Sequence, residues 1–347
     1  MVNVRGWILS GHTNPRSLGG QTVNRWSHRT GNAVVLAAAV LWGTAGTTAS
    51  LEDIAPPAAQ AAAWRGVLGA AALLLATVAA GQLRALTAMM RGPRRSWLVC
   101  AAVAVALFQV AFFTAVHLTG VALGTVVALG SAPIVGGIVR ALTTGRPPSP
   151  RWAFATTLAV AGVALLLLPT GERAADPLGI ALAAVAGAAF AGYTLVLQRH
   201  RALGDRLLPT TAAAFGGSAV LLSPLIAFGD HGWLESPAGV GVALWLGLVT
   251  AGLAYALYAA GLRTVPAPRA LTMTLAEPVT AVLLGLLLLG EPLTPTGLAG
   301  LLLVSGGLAA AVRPPSRWRT SDPPPPQGSE PVSPASRSPE PRGGERG

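Results

Sequence analysis

Long apolar runs separated by short polar connectors dominate the chain from residue 33 to residue 312. Each run has close to the ~20 residues that an α-helix needs to cross the hydrocarbon core of a bilayer. The sequence therefore predicts an all-α integral membrane protein with ten transmembrane helices. The predicted spans lie near residues 33–50, 57–80, 97–117, 121–140, 152–170, 178–197, 208–228, 239–261, 267–289 and 294–312.

The pattern of apolar and helix-breaking residues occurs twice along the chain. Residues 115–164 align without a gap onto residues 260–309, so that Pro133 falls on Pro278. An earlier stretch of the first half matches the second half with an offset one residue longer. The shared proline and glycine positions carry this repeat, because alanine-rich helices match by chance. Duplicated hydrophobic halves are typical of secondary transporters, whose substrate site lies between the halves.

The repeat divides the chain into four parts. Residues 32–170 and residues 176–312 form the two predicted five-helix repeats. The preceding residues 1–31 are a basic tail without the apolar core of a signal peptide. The following residues 313–347 are rich in proline and poor in apolar residues, which predicts a disordered tail.

Arginine and acidic residues alternate between successive connectors. Arginines occupy the N-terminal tail and every second connector, whereas acidic residues predominate in the connectors between them. By the positive-inside rule the arginine-bearing side is cytoplasmic, which predicts that both termini are cytoplasmic. Five spans per repeat is an odd number, so the second repeat is expected to be inverted relative to the first. At the matched turn Arg146 falls on Glu291, the charge exchange expected of inverted copies.

The composition supports a membrane protein and argues against several other classes. Hydrophobic residues make up 52% of the chain, charged residues 11%, and the mean hydropathy is +0.58. The net charge of +11 reflects arginines placed between apolar runs, so membrane orientation explains it better than nucleic-acid binding. The single cysteine, Cys100, excludes a disulfide framework and a cysteine-based zinc site. We expect no metal and no cofactor.

Several short motifs in this order resemble one transporter family. They are Leu41-Trp42-Gly43-Thr44, Trp64-Arg65, Ser131-Ala132-Pro133, Leu275-Ala276-Glu277-Pro278, Leu289-Gly290-Glu291-Pro292-Leu293-Thr294 and Gly306-Gly307. Together they resemble the EamA-type, ten-helix branch of the drug/metabolite transporter superfamily. The resemblance implies two inverted five-helix repeats, cytoplasmic termini and export of small metabolites, amino acids or drugs. Many members carry an acid where this chain has Arg146, so the loop acid is a weak candidate for the transport chemistry.

Two charged residues within predicted spans are the leading site candidates. Glu277 lies near the middle of the ninth span, and its repeat mate is the apolar Ala132. An ionisable residue at that depth is costly and is a functional candidate by default. A Glu277 that only ties helices together is the structural alternative. Arg65, in the second span, is expected to pair with Glu277 or bind a substrate carboxylate, the alternative being that it extends to the outer interface.

Aromatic and small polar residues form a second group of candidates. We expect Trp42, Thr44, Tyr193, Tyr255 and Tyr258 to line a central cavity, where the aromatic rings stack on substrate. The alternative for Trp and Tyr is an anchoring role at the membrane interface.

Helix-breaking residues at matched places in two halves indicate a transporter site. Gly130 and Pro133 are expected to interrupt the fourth span, and Pro278 the ninth, where freed carbonyls line a cavity. These residues are the candidates for gating.

Three function classes remain compatible with the sequence. A secondary transporter in a bacterial cell membrane fits best, with a small-molecule substrate, protons as a coupling ion, the lipid bilayer as surroundings and a homodimer left open. The sequence holds no P-loop, HExxH motif or paired intramembrane acids, which argues against an enzyme and against ATP-driven transport. A multi-pass membrane enzyme and a channel or sensor are the alternatives.

Overall fold

The computed structural model describes residues 28–51, 56–145, 147–166, 176–288 and 294–312. In the first half the helices are α1 (His28–Leu51), α2 (Ala58–Ala79), the short α3 (Leu83–Arg91), α4 (Arg95–Thr119), α5 (Val121–Thr144) and α6 (Pro150–Leu166). In the second half they are α7 (Pro177–Ala202), α8 (Leu207–Ala227), α9 (Pro237–Gly261), α10 (Ala267–Leu288) and α11 (Pro295–Val312).

The described helices confirm the predicted class of protein. Eight of them, namely α2, α4, α5 and α7 to α11, are long and apolar enough to cross a membrane. The helix α1 is not among the eight, and α6, with 17 residues, is shorter. The chain is therefore an all-helical multi-pass membrane protein in its described part, and the count of ten spans stays a prediction. The two tails beyond these helices and the matched pair Arg146 and Glu291 lie outside the described residues.

Helix starts use the same chemistry in both halves. The helix α6 begins at Pro150, and the Ser149 hydroxyl before it accepts a 3.2 Å hydrogen bond from the N–H three residues further on. The helix α11 begins at Pro295, and the Thr294 hydroxyl accepts a 3.0 Å hydrogen bond from the N–H three residues further on. An N-cap hydroxyl followed by proline suits a helix start, because proline lacks an N–H that would have no partner there. Ser149 and Thr294 are repeat mates at the 145-residue offset.

The main contacts between the halves are symmetric, because each contact is matched by one between the equivalent helices with the two halves exchanged. The equivalent helices α2 and α8 contact each other, as do α6 and α11. The contacts of α7 with α4 and α5 correspond to those of α1 with α9 and α10, and the contact of α2 with α9 corresponds to that of α8 with α4. Such a set is expected when an approximate two-fold axis relates two similar halves.

The crossing of α6 and α11 has the same symmetry at the level of single residues. A Cβ atom on Gly162 would lie 2.5 Å from the backbone nitrogen of Val304, and one on Gly307 would lie 2.7 Å from that of Ala159. Gly162 matches Gly307 and Ala159 matches Val304 at the 145-residue offset, so the two contacts are equivalent. As α6 runs from Ala159 to Gly162, its contact on α11 moves back from Gly307 to Val304. These equivalent helices therefore cross antiparallel, with their backbones held close by glycine.

The neighbouring glycines of α11 give a matched test of this crossing. We expect Gly307→Ala to lower stability by roughly 1–3 kcal/mol, because its new Cβ atom would press on α6 backbone atoms that cannot yield. Gly306→Ala is the control, because its Cβ atom would meet only the Leu158 side chain at 3.4 Å. Thermal unfolding of the two purified variants in one detergent makes the comparison. Equal melting temperatures would contradict the crossing.

Two helices of the second half depart from regular α-helix near the middle of the protein. The helix α10 is interrupted at residues 274–275, between the segments Ala267–Met273 and Ala276–Leu288. Pro278 lies in the first turn of the second segment. The helix α9 contains a π-helical stretch at Trp245–Leu253, a feature that is frequent at functional sites.

The matched helix of the first half differs from the expectation. The helix α5 continues without interruption through Gly130 and Pro133, so the expected break there is wrong. The physical reason is that an interior proline removes a single hydrogen bond, which a helix packed on its neighbours can tolerate. A gating role for these residues and for Pro278 stays a prediction.

Candidate functional site

Arg65 of α2 is a buried cation in the interior of the described helices. Its side chain is 7% exposed and bridges three helices. Its Nε donates to the Thr250 hydroxyl at 3.2 Å and its Nη2 to the Thr250 carbonyl at 3.2 Å, both on α9. Its Nη1 donates to the Gln109 side-chain oxygen on α4. Arg65 therefore does not extend to a membrane interface. Its planar guanidinium instead donates its hydrogen bonds to Gln109 and Thr250.

Glu277 lies in the apolar helix α10 and forms no ion pair with Arg65. It opens the second segment of α10 and is half-buried. Neither of the two ion pairs found among the described residues involves Glu277. Its side-chain carboxylate accepts no hydrogen bond from those residues. It interacts electrostatically with Arg65 and with Tyr255. The two charged candidates, one from each half, thus lie within electrostatic range of each other, and the carboxylate has no ion-pair partner among the described residues.

An aromatic cluster adjoins these two charges. Its members are Trp42, Phe190, Tyr193, Phe215, Tyr255 and Tyr258, all less than 10% exposed. The ring centroid of Tyr255 lies 5.0 Å from that of Trp42 and 4.6 Å from that of Phe215. The Arg65 guanidinium carbon lies 5.8 Å from the Tyr255 ring centroid. The three tyrosines and Trp42 therefore lie in the interior and are not interfacial anchors.

Hydroxyl groups hold two members of the aromatic cluster, Tyr193 and Tyr258, in place. The Thr194 and Tyr258 hydroxyls are 3.1 Å apart, and the Tyr193 hydroxyl donates to the Thr211 hydroxyl at 3.3 Å. The indole Nε1 of Trp42, in contrast, is buried with no hydrogen-bond partner among the described residues. A buried donor without a partner costs ~1–3 kcal/mol, so this indole N–H is a donor that a bound ligand can use.

Thr44 lies two residues beyond Trp42 on α1. Its hydroxyl donates to the Leu41 carbonyl at 2.7 Å and accepts a 2.9 Å hydrogen bond from the Trp245 indole of α9. Thr44 is half-buried, so it borders the site and is not part of the aromatic cluster.

The crossing of α1 and α10 places Glu277. A Cβ atom on Gly43 would lie 2.6 Å from the Glu277 carbonyl oxygen, so the two backbones touch at this point. The corresponding crossing of α7 and α5 uses Gly187, whose Cβ atom would lie 2.2 Å from the Ala128 carbonyl oxygen. That crossing carries the apolar Ala132 where the first carries Glu277. The fold therefore presents a carboxylate at one of two equivalent crossings.

The surroundings of Glu277 differ on its two sides along α10. Toward the first segment of α10, Leu271, Met273 and Leu275 are fully buried. Toward the second segment, Thr280 is half-buried, as are Thr44 and Thr48 of α1. The side of Glu277 toward the first segment, which we call the sealed end, is thus lined by fully buried side chains, and the other side by partly exposed ones.

Further polar contacts lie at the sealed end, and the one between Arg94 and Asp205 joins the two halves. Asp205, in the connector between α7 and α8, accepts hydrogen bonds of 2.9 and 3.1 Å from Arg94 and lies 2.8 Å from Nδ1 of the buried His200. The side-chain amide of Gln198 donates to the carbonyls of Leu262 and Val265, both at 3.1 Å.

The model of the EamA-like transporter family matches residues 29–168 and again residues 177–313. The chain belongs to this family, which is part of the drug/metabolite transporter superfamily. The EamA match thus occurs once in each half, which agrees with the duplication seen in the sequence and in the helix contacts.

Two relatives of known sequence and one solved structure are similar to this chain. The chain is 38% identical over 294 residues to the "Uncharacterized transporter YwfM" of Bacillus subtilis, covering 83% of this chain and 95% of that protein. It is 38% identical over 159 residues to the "Uncharacterized protein PA1977" of Pseudomonas aeruginosa, covering 45% of this chain and 53% of that protein. One solved crystal structure superposes with a TM-score of 0.70 at 21% identity, covering 82% of this chain and 97% of that chain. This last likeness shows the fold alone.

Sequence reasoning missed part of the site. Gln109 and Thr250 hold Arg65, and Phe190 and Phe215 complete the aromatic cluster, yet none of the four was singled out. Gln109 carried a usable signal, because an amide within a predicted span needs a polar partner. The phenylalanines carried none, since an apolar ring within an apolar helix has no preferred side before the helices pack.

Proposed function

We propose that this protein is a secondary transporter that moves small molecules past a site formed by Arg65 and Glu277. The proposal is supported by a buried guanidinium from one half that lies against Tyr255 of an aromatic cluster, within electrostatic range of an unpaired carboxylate. Such charges are costly in a membrane interior and are retained there for binding or proton transfer. The family to which the chain belongs supports a transporter and gives no support to an enzyme.

Inverted repeats are the second part of the proposal. Two pairs of equivalent helices support them, because each pair packs antiparallel. In one pair, α6 and α11 run in opposite directions where they cross at Gly162 and Gly307. In the other, Gln60 at the start of α2 donates at 2.6 Å to the Leu225 carbonyl near the end of α8. Equivalent helices that run in opposite directions are expected when one half is inverted relative to the other.

The arginine distribution assigns the two sides of the site. The sealed end lies toward the start of α10, next to Arg263 and Arg269, and is cytoplasmic by the positive-inside rule. In this proposal the partly exposed side faces outward, which corresponds to an outward-facing state of an alternating-access cycle. In this proposal the protein lies in a bacterial cell membrane with cytoplasmic termini, and its direction is export of small metabolites, amino acids or drugs.

Glu277 has a specific role in the proposed cycle. Its carboxylate binds a proton when the site is open outward and releases it when the site is open to the cytoplasm. Arg65, fixed by Gln109 and Thr250, orients an acidic group of the substrate by two parallel hydrogen bonds. A proton gradient drives the cycle, which operates with one chain or with a homodimer.

Sided thiol labelling tests the alternating-access proposal. In a Cys100→Ser background, which removes the single cysteine of the chain, we expect Thr44→Cys to react with a membrane-impermeant thiol reagent added outside. The reaction from the inside is expected to be slow, because buried side chains seal that direction. Leu262→Cys, fully buried at the sealed end, is the control and is expected to resist the external reagent. Equal labelling of Thr44→Cys from both sides at all times would indicate a channel and contradict the proposal.

A further inference from the structure

The helix α3 (Leu83–Arg91) is a nine-residue element within the connector from α2 to α4. At 1.5 Å per residue it is about 13 Å long, which is too short to cross a membrane. It packs against α2, α4 and α8. Leu86 and Met89 form the side of the helix that is buried against the protein.

Two other sides of α3 remain uncovered. Leu83 and Met90 lie on one side and are 46% and 56% exposed. Arg84 and Arg91 lie on another side, and both are exposed. With an advance of about 100° per residue, these two sides are roughly a quarter-turn apart around the helix. An exposed apolar residue therefore lies beside an exposed arginine in both the first and the last turn of α3.

The charge of this connector is uncompensated. No acidic residue occurs from Gly81 to Ser96. The side chains of Arg84, Arg91 and the nearby Arg95 form no ion pair or hydrogen bond with the described residues, whereas Arg94 is paired with Asp205. Three exposed arginines are therefore left to interact with a partner that carries negative charge.

The surface next to α3 indicates where that partner lies. The helix α4 begins four residues after α3 and exposes Val99 and Val103, which are 60% and 46% exposed. In a membrane protein such side chains face lipid tails, so the hydrocarbon boundary lies close to α3. The apolar side of α3 continues this lipid-facing surface, and the basic side lies at the level of the headgroups.

We propose that α3 lies in the membrane interface and binds the headgroups of anionic phospholipids in the adjoining leaflet. Leu83 and Met90 enter the acyl boundary, while Arg84 and Arg91, assisted by Arg95, contact lipid phosphates. An interfacial amphipathic helix with this division of faces binds through its buried apolar area together with attraction to anionic lipid. This site is separate from Arg65 and Glu277, and it does not depend on the proposed transport cycle.

Native mass spectrometry of the full chain in detergent tests the lipid site directly. The protein is titrated with dioleoylphosphatidylglycerol or with dioleoylphosphatidylcholine, and bound lipids are counted. We expect tighter binding of the glycerol lipid, and a loss of roughly 20–30-fold in its affinity for Arg84→Gln/Arg91→Gln, at about fivefold per arginine. The matched control is Arg29→Gln/Arg140→Gln, which removes the same charge from two exposed arginines away from α3. The control is expected to bind the lipid as the wild type does.

A soluble competitor separates a lipid site from a simple anion site. Glycerophosphoglycerol carries the same headgroup without acyl chains, so we expect it to displace the lipid only weakly. Met90→Gln should lower lipid affinity while leaving the weak headgroup binding unchanged. Equal losses in the α3 and control double variants, or no preference for the anionic lipid, would overturn the proposal. Full displacement by glycerophosphoglycerol would also overturn it, because the apolar side would then have no part.

Discussion

Glu277→Gln is expected to lower gradient-driven accumulation of substrate at least roughly tenfold while leaving exchange of substrate across the membrane largely intact. The substitution keeps the shape of the side chain and removes its ability to carry a charge. Contacts to a charged group are worth ~1.5–3 kcal/mol, or about 10- to 150-fold, and the low dielectric of the site strengthens them. Accumulation needs the carboxylate to bind and release a proton in each cycle, whereas exchange does not.

The same experiment distinguishes the two roles open to Glu277. If the carboxylate binds substrate directly, accumulation and exchange fall together and the apparent affinity worsens. Glu235→Gln is the matched control, because it makes the same chemical change in an exposed connector residue and should transport normally. A folded Glu277→Gln protein that matches wild type in both assays would show that Glu277 is structural, and the site assignment would be wrong.

Arg65→Ala is expected to have the largest effect on stability, and Arg65→Lys a large effect on transport. Removal of the guanidinium leaves buried acceptors on Gln109 and Thr250 without their donors. Each buried acceptor left without its donor costs ~1–3 kcal/mol, so we expect poor recovery of Arg65→Ala. Lysine keeps the charge but lacks the planar fork of donors, so Arg65→Lys should fold with a lower melting temperature.

Transport by Arg65→Lys separates substrate binding from folding. We expect uptake at least roughly tenfold below wild type for the folded fraction, because a single ammonium cannot hold three protein contacts and a substrate group together. Arg140→Lys, at an exposed position on α5, is the control and should match wild type in both melting temperature and uptake. Unchanged stability and uptake in Arg65→Ala would remove Arg65 from the site.

The class of protein could be predicted because a helix that crosses the bilayer needs about 20 apolar residues, and runs of that length are visible in the sequence. The duplication was visible for a different reason. Proline and glycine at matched positions, such as Pro150 with Pro295 and Gly162 with Gly307, serve the same caps and close crossings in both halves. These residue types can be recognised from the sequence alone, because their helix caps depend on neighbouring residues and their close crossings require a small side chain.

Features that depend on packing escaped prediction. The helix α3 has too few residues and too many arginines to stand out as a span. The uniform apolarity of the spans hides which side of each helix faces the interior, so the phenylalanines Phe190 and Phe215 could not be assigned to the site. The continuous course of α5 through Pro133 likewise depends on its neighbours. Arg65 and Glu277 were predictable, since a charge within an apolar span is conspicuous whatever the packing.

Uptake into proteoliposomes tests the central claim most directly. Purified protein is reconstituted and supplied with a panel of labelled amino acids, nucleosides and cationic dyes under an imposed proton gradient. If the protein is a transporter that works through this site, we expect saturable accumulation of at least one compound by the wild type. The accumulation should depend on the gradient and fall at least roughly tenfold in Glu277→Gln. Flux that does not saturate, or saturable accumulation unaffected by both Glu277→Gln and Arg65→Lys, would contradict a transporter that works through this site.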